Sequence, residues 1–163
     1  MVMDVCRRLY DMAEVDTIIV LTSSNTKYLT GFSSTNCQLI LTKDNSYFLT
    51  DMRYYLEAKE KLGKRFEVLC RDISSCKDLI CGKTIGIESD ISYLEFKTLN
   101  ALAEGKTVEI SRHIDNLRAI KSACELNCIK RAQFVTDKAY KAALPMLKEC
   151  VSEIEIAAYI EYV

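Results

Sequence analysis

The run Thr17-Ile18-Ile19-Val20-Leu21-Thr22 constrains this chain more than any other feature. It is rich in β-branched residues and lacks polar alternation, so it reads as a strand buried on both faces. A helix precedes it, because Val2, Val5, Cys6, Leu9, Met12 and Ala13 recur at three- and four-residue steps. Beyond it, Cys37–Thr42 and Ser46–Thr50 read as two strands joined by Lys43-Asp44-Asn45. That spacing predicts an antiparallel hairpin with Asn45 in the left-handed conformation of a bulged turn.

Helix and strand signals alternate after the hairpin. Asp51 is placed to cap a helix carrying Tyr54, Leu56, Ala58 and Leu62, with Gly63 at its end. Phe66–Leu69 reads as a short strand, a helical turn follows around Cys76–Ile80, and Thr84–Glu88 is a further strand. Ser92 and Glu95 form a capping box for a helix with Leu94, Leu99 and Leu102, and Gly105 follows its end. Gly63, Gly82 and Gly105 thus fall where a left-handed residue is comfortable. Thr107–Ser111 closes the series as a strand. The expected fold is α/β, a mixed β-sheet flanked by helices.

From Ser122 the strands disappear. Ser122 and Glu125 open a long helix reaching about Cys150, with a stripe of Leu126, Ile129, Ala132, Ala139, Ala143 and Leu147. Pro145 is expected to bend or tighten its last turns. Ser152 and Glu155 open another helix with Ile156, Tyr159, Ile160 and Val163 on one face, and this one reads as cut. Residues 1–118 are therefore expected to form one domain, and residues 119–163 the opening helices of a second. Without the rest of that domain, apolar helix faces should be uncovered and should drive self-association.

Composition narrows the function. With 22 basic against 23 acidic side chains, the net charge of −1 argues against a nucleic-acid binder and removes the case for a polybasic membrane patch. The strongest apolar run is far too short to span a bilayer. Asp4, Asp11 and Glu14 stand where a signal peptide needs its apolar stretch, which points to a cytoplasmic protein. Eight cysteines without a CxxC pair read as reduced thiols, most of them small buried apolar residues. Cys124 and Cys128 share a helix face but lack two further ligands for zinc. A thiol-dependent metal or redox protein is the reading this leaves aside. His113 is the only histidine, so a Ser or Cys nucleophile has a poor choice of base.

Three segments hold the candidate chemistry, and each has two readings. Asn25–Ser34 reads as a surface loop, either a binding loop or a connection pinned by Tyr28, Leu29 and Phe32. In Thr50–Tyr54, Arg53 is either a fork for a carboxylate or carbonyl, or a solvated residue after an N-cap. Asp115–Leu126 reads as a connector ending in a capping box, with little catalytic content.

Taken in order, Asn25–Phe32 (NTKYLTGF), the hairpin, Thr50–Tyr54 (TDMRY) and Asp115–Ser122 (DNLRAIKS) resemble the Xaa-Pro peptidases. That family includes aminopeptidase P, prolidase and creatinase. Glu125–Ala132 (ELNCIKRA) and Ser152–Tyr159 (SEIEIAAY) are similar to the first two helices of its catalytic domain. The family pattern after Gly-Phe often continues with a small residue and another glycine, where this chain has Thr35-Asn36-Cys37.

The resemblance implies a non-catalytic N-terminal α/β domain followed by a "pita-bread" domain. There, two aspartates, a histidine and two glutamates hold two divalent metal ions, commonly manganese, cobalt or zinc. Those ligands match nothing in this segment and would lie downstream, so no metal is expected here. The resemblance also implies a homodimer acting on proline-containing peptides, in which this domain closes over the partner's active site. By position, Phe32 and Ser33 in the Phe32–Thr35 loop, together with Arg53 and Tyr54, are the candidate substrate-binding residues. A peptidase-like interaction module without activity is the alternative, which the downstream ligand set would decide.

Overall fold

The structure, a computed structural model, describes residues 2–103, 105–148 and 151–162. The Val2 and Asp4 side chains, Cys150 and Val163, named above, lie outside that description. The chain divides into two units, Met1–Ala119 and Ile120–Val163.

In the first unit, helix α1 (Val2–Ala13) leads into strand β1 (Thr17–Val20), helix α2 (Ser23–Thr30) and the hairpin β2 (Cys37–Thr42) and β3 (Ser46–Thr50). Helix α3 (Met52–Leu62), strand β4 (Glu67–Cys70) and two 3-10 turns, Ile73–Ser75 and Lys77–Leu79, follow. Strand β5 (Thr84–Ile87), helix α4 (Tyr93–Leu102), strand β6 (Lys106–Glu109) and helix α5 (Ser111–Ala119) complete it. The six strands form one sheet in the order β4-β3-β2-β1-β5-β6. The β1–β2 and β2–β3 pairs are antiparallel and the others parallel, so the sheet is mixed.

Strand β1 lies inside the sheet, and all four of its residues are buried. Because side chains alternate across a strand, Ile18 and Val20 join a core with Leu9, Leu29, Ala58, Leu62, Ile114 and Leu117, from α1, α2, α3 and α5. Ile19 faces the other way, among Ile40, Leu49, Ile85, Ile87 and Leu99 of α4.

The hairpin forms as expected, with Leu41 opposite Ser46, but its turn is built differently. Asn45 is not left-handed; Glu14 is the only described non-glycine residue with positive φ. The Thr42 hydroxyl instead accepts the Asn45 N–H at 3.1 Å and donates to the Asn45 carbonyl at 3.0 Å. A side chain thus closes the turn that a left-handed residue was expected to close.

Gly63 is also right-handed, with φ −59°. The positive-φ glycines are Gly31 and Gly82. Gly82 has a second reason to lack a side chain, since a Cβ there would lie 2.2 Å from the Asp16 Cβ. Helix α4 ends at Ala103, in extended conformation, rather than at Gly105.

Two further corrections concern segments read as irregular. The Asn25–Ser34 stretch is helical through Thr30, and the first residues of the Asp115–Leu126 connector, through Ala119, belong to helix α5, which also holds His113. Helix α5 forms because Ile110, Ile114 and Leu117 recur at helical spacing and are all buried. The cysteines also depart from expectation. Cys6, Cys37 and Cys76 are buried, whereas Cys70, Cys81, Cys124 and Cys128 are exposed. The latter lie at strand ends, on loops or on an outward helix face, where a small apolar side chain has no core to join.

In the second unit, helix α6 (Ala123–Ala143) starts at the Ser122/Glu125 capping box. Pro145 lies in a 3-10 turn, Leu144–Met146, which tightens the end of that helix as expected. Helix α7 (Glu153–Tyr162) follows, with the Ser152 amide and hydroxyl both donating to Glu155 at 2.8 Å. Leu126, Ile129, Phe134, Val135, Leu147 and Ile154 are exposed apolar side chains on this unit.

Candidate functional site

Helix α2 begins without help from its own N-cap, because the Thr22 side chain makes no capping bond. Its anchor is Glu88, just past the end of β5. The buried Glu88 carboxylate accepts the Leu21 N–H at 2.6 Å, the Thr22 N–H at 2.8 Å and the Asn25 Nδ2–H at 2.6 Å. Asn25 in turn accepts the Arg118 guanidinium at 2.7 Å. A carboxylate removed from water is held only when its lone pairs are used, and here three donors use them. At the other end Gly31 adopts φ 78°, and its N–H donates to the Lys27 carbonyl at 2.8 Å. That left-handed residue redirects the chain into the Phe32–Asn36 segment.

This segment rests on a buried ring. Phe32 is only 4% exposed and meets Phe48 edge-on, with centroids 5.5 Å apart. Its N–H donates to the Thr30 hydroxyl at 3.1 Å. Ser33 and Thr35, by contrast, are exposed. Thr35 Oγ1 and Tyr54 OH lie 3.0 Å apart and share a hydrogen bond. The Asn36 amide donates to Asp51 Oδ2 at 3.0 Å, and the Thr50 hydroxyl donates to the Asn36 carbonyl at 2.8 Å. The loop is therefore stitched to the start of α3.

Asp51 holds that junction. It caps α3 by accepting the Arg53 N–H at 2.9 Å, and the Arg53 guanidinium donates to it at 2.6 Å. These bonds from Arg53, with the one from Asn36, pull the Asp51 carboxyl from 3.8 down to about 2. Arg53 also stacks over Tyr54, with 5.3 Å from its central carbon to the ring centroid.

The four residues singled out by sequence therefore divide. Ser33 and Tyr54 line one surface depression of about 380 Å³ between α2, the loop and α3. Phe32 lies beneath the loop as its apolar support. Arg53 is two-thirds exposed, but its fork is engaged by Asp51. Sequence reasoning missed Glu88, whose only local signal is an acidic residue directly after the apolar strand Ile85-Gly86-Ile87. It also missed the tie between Asn25 and Arg118, which brings two of the quoted motif blocks into contact. Among the described residues, no group of three or more His, Cys, Asp or Glu is placed to hold a metal ion, so the metals implied by the resemblance do not fit here. Nor is any described helix long and apolar enough to cross a membrane.

Comparison with known proteins bears on the family and the fold. The chain is 26% identical to the uncharacterized peptidase YqhT of Bacillus subtilis over 164 residues, covering 96% of this chain and 46% of that protein. It is 28% identical to the Xaa-Pro dipeptidase of Pyrococcus horikoshii, covering 93% of this chain and 44% of that protein. The chain thus spans about half the length of these relatives. Its fold matches the structure of an Xaa-Pro dipeptidase from Bacillus anthracis with a TM-score of 0.88 at 23% identity, over 99% of this chain and 48% of that one. The Creatinase/Prolidase N-terminal domain family matches residues 3–120. On the α/β fold, the mixed sheet and that match, the chain belongs to the creatinase/prolidase N-terminal domain family.

Proposed function

We propose that this chain is the non-catalytic N-terminal part of a metal-dependent Xaa-Pro aminopeptidase or dipeptidase. In this reading it serves subunit association in a cytoplasmic homodimer and helps to shape the partner's active site for proline-containing peptides. The observation that carries the proposal is the continuity of the match. The family domain covers residues 3–120, yet similarity to a peptidase runs over 96% of the chain, through the two capped helices that follow. Those helices carry exposed apolar side chains suited to packing against further structure.

Residues 1–163 supply binding and orientation only. The two divalent ions, manganese, cobalt or zinc, belong in this proposal to the half of the relatives that the chain does not span. They would polarise the peptide carbonyl and activate water there. Ser33, Arg53 and Tyr54 form the edge offered to the partner subunit, with Phe32 supporting the loop from below.

The test is Arg53→Ala in the full-length enzyme, alongside Tyr54→Phe. The expected result is a loss of about tenfold in kcat/KM on Xaa-Pro substrates. Unchanged kinetics with an unchanged dimer would remove the assigned role. A downstream sequence without the ordered Asp, Asp, His, Glu and Glu ligands would favour the inactive interaction module.

A further inference from the structure

Strand β6 forms one edge of the sheet, with β5 on one side and no strand on the other. Lys106 and Ile110 donate their N–H groups inward, to the Lys83 carbonyl at 2.7 Å and the Ile87 carbonyl at 2.9 Å. Backbone groups alternate in direction along a strand, so the N–H and carbonyl groups of Thr107 and Glu109 point to the open side. Lys106 and Glu109 are exposed, and Thr107 and Val108 are half-buried. Such a row of donors and acceptors is a template for one more strand.

Two observations say what that strand carries. The first is a cleft of about 490 Å³ at the carboxyl ends of β5 and β6, where an open α/β sheet leaves room for a ligand. Ile87, Ile91 and two rings from the start of α4, Tyr93 and Phe96, supply its apolar wall. Tyr93 is 75% exposed and Phe96 38%, so neither ring is spent on the core. Thr107 and Glu109 stand opposite Ile85 and Ile87, which pack toward Leu99 of α4. Their side chains therefore face the cleft, and so would those of an added strand lying beside them.

The second is charge. Glu88 and Glu109 line the cleft, and among the described residues no Lys, Arg or His does. The Glu88 carboxylate is taken up by its three donors. Glu109, by contrast, is exposed, and only its Oε1 accepts a bond, from the Ser111 N–H. A cation directly across from Glu109 is matched, whereas a second carboxylate there is repelled.

We infer that β6 takes up an extended peptide as an added antiparallel strand, with a large apolar side chain opposite Thr107 in the cleft and a Lys or Arg opposite Glu109. Both pairs are hydrogen-bonded ones, because Thr107 and Glu109 turn their backbone groups outward. The inference goes beyond the proposed peptidase role. It needs no turnover, and none of Phe32, Ser33, Arg53 and Tyr54 takes part.

The test is an amide-resolved NMR titration of this chain with acetyl-Thr-Lys-Thr-Phe-Thr-amide. In the antiparallel register its Lys meets Glu109 and its Phe meets Thr107. Saturable shifts are expected at residues 87–93 and 106–109. Methylating the Phe nitrogen removes a bond to β6 and should weaken binding about tenfold or more. Methylating the nitrogen of the Thr between Lys and Phe, which points away from β6, should change it far less. Replacing the peptide's Lys by Glu should weaken binding about fivefold, and Glu109→Lys should reverse that preference. The amide spectrum of the variant reports independently that the fold is kept. Saturation mapping elsewhere, no saturation, equal effects of the two methyl groups, or a Lys preference unchanged in Glu109→Lys would each overturn the inference. So would shifts at residues 106–109 on concentrating the chain without peptide, which would assign the edge to a second copy.

Discussion

Arg118 donates its guanidinium to Asn25 Oδ1 across 2.7 Å, although the two residues are 93 positions apart. The opposite end of the same amide donates to Glu88 at 2.6 Å. One asparagine thus ties the end of α5 to the residue that anchors α2. The orientation of the Phe32–Asn36 loop depends on that tie, since the loop leaves directly from the end of α2.

Replacing Glu88 by Gln keeps the shape but turns an NH₂ group toward donors that need an acceptor. The expected loss is about 2–3 kcal/mol, because charged hydrogen bonds are broken and buried donors are left unpaired. Arg118→Ala should cost about 1 kcal/mol or less, since that residue is exposed. Urea denaturation of both variants measures the difference, and equal losses would contradict the hierarchy.

Asp51 predicts an acid dependence of stability. Its carboxyl sits at about 2 in the folded chain against 3.8 ordinarily. A depressed folded value means that its contribution is complete above pH 4 and fades as the pH falls toward 2. Asn at this position still caps a helix but lacks the charge. The urea midpoint of Asp51→Asn should therefore lie below that of the parent at pH 6, with the gap narrowing between pH 4 and pH 2. A constant gap would show that the charge is irrelevant.

Phe32 and Ser33 are neighbours with opposite roles. Phe32→Ala should destabilise the chain by about 3–4 kcal/mol, as large buried aromatics do on truncation. Ser33→Ala, at an exposed position, should shift stability by less than about 0.5 kcal/mol. Thermal unfolding of the pair separates a support from a surface contact.

The thiols should sort by burial under alkylation. Burial pushes the Cys6 thiol up to about 12, so it holds almost no thiolate at neutral pH. Mass spectrometry after iodoacetamide treatment of the folded chain should find Cys70, Cys81, Cys124 and Cys128 modified first. Cys6, Cys37 and Cys76 should follow only with denaturant. Early labelling of Cys6 would show that α1 opens readily.

What was legible in the sequence was local. The Thr17–Val20 strand, the Cys37–Thr50 hairpin and the Ser92, Ser122 and Ser152 capping boxes each carry their signal within a few residues. Helix α2 was read as a loop because its stabilising carboxylate, Glu88, lies 66 positions from Thr22. Helix α5 did carry a local signal in Ile110, Ile114 and Leu117, hidden among Arg112, His113, Asp115 and Asn116. The site divides the same way. Ser33 and Tyr54 stood out only through the family resemblance of their segments, whereas their lining one depression is a matter of separate elements meeting, as the Thr35–Tyr54 bond shows.

The position of β1 between β2 and β5 also sets a timetable for synthesis. Ile19 can pair with Ile40 soon after both leave the ribosome, but its other neighbour, Ile87, emerges nearly fifty residues later. Until then one edge of a strand made of β-branched residues stays unpaired, an open template for a neighbouring nascent chain. The Asn25 tether waits longer still, for Arg118. Aggregation during translation should therefore peak when ribosomes pause between these two events and the hairpin, a window that leaves no trace in the finished fold.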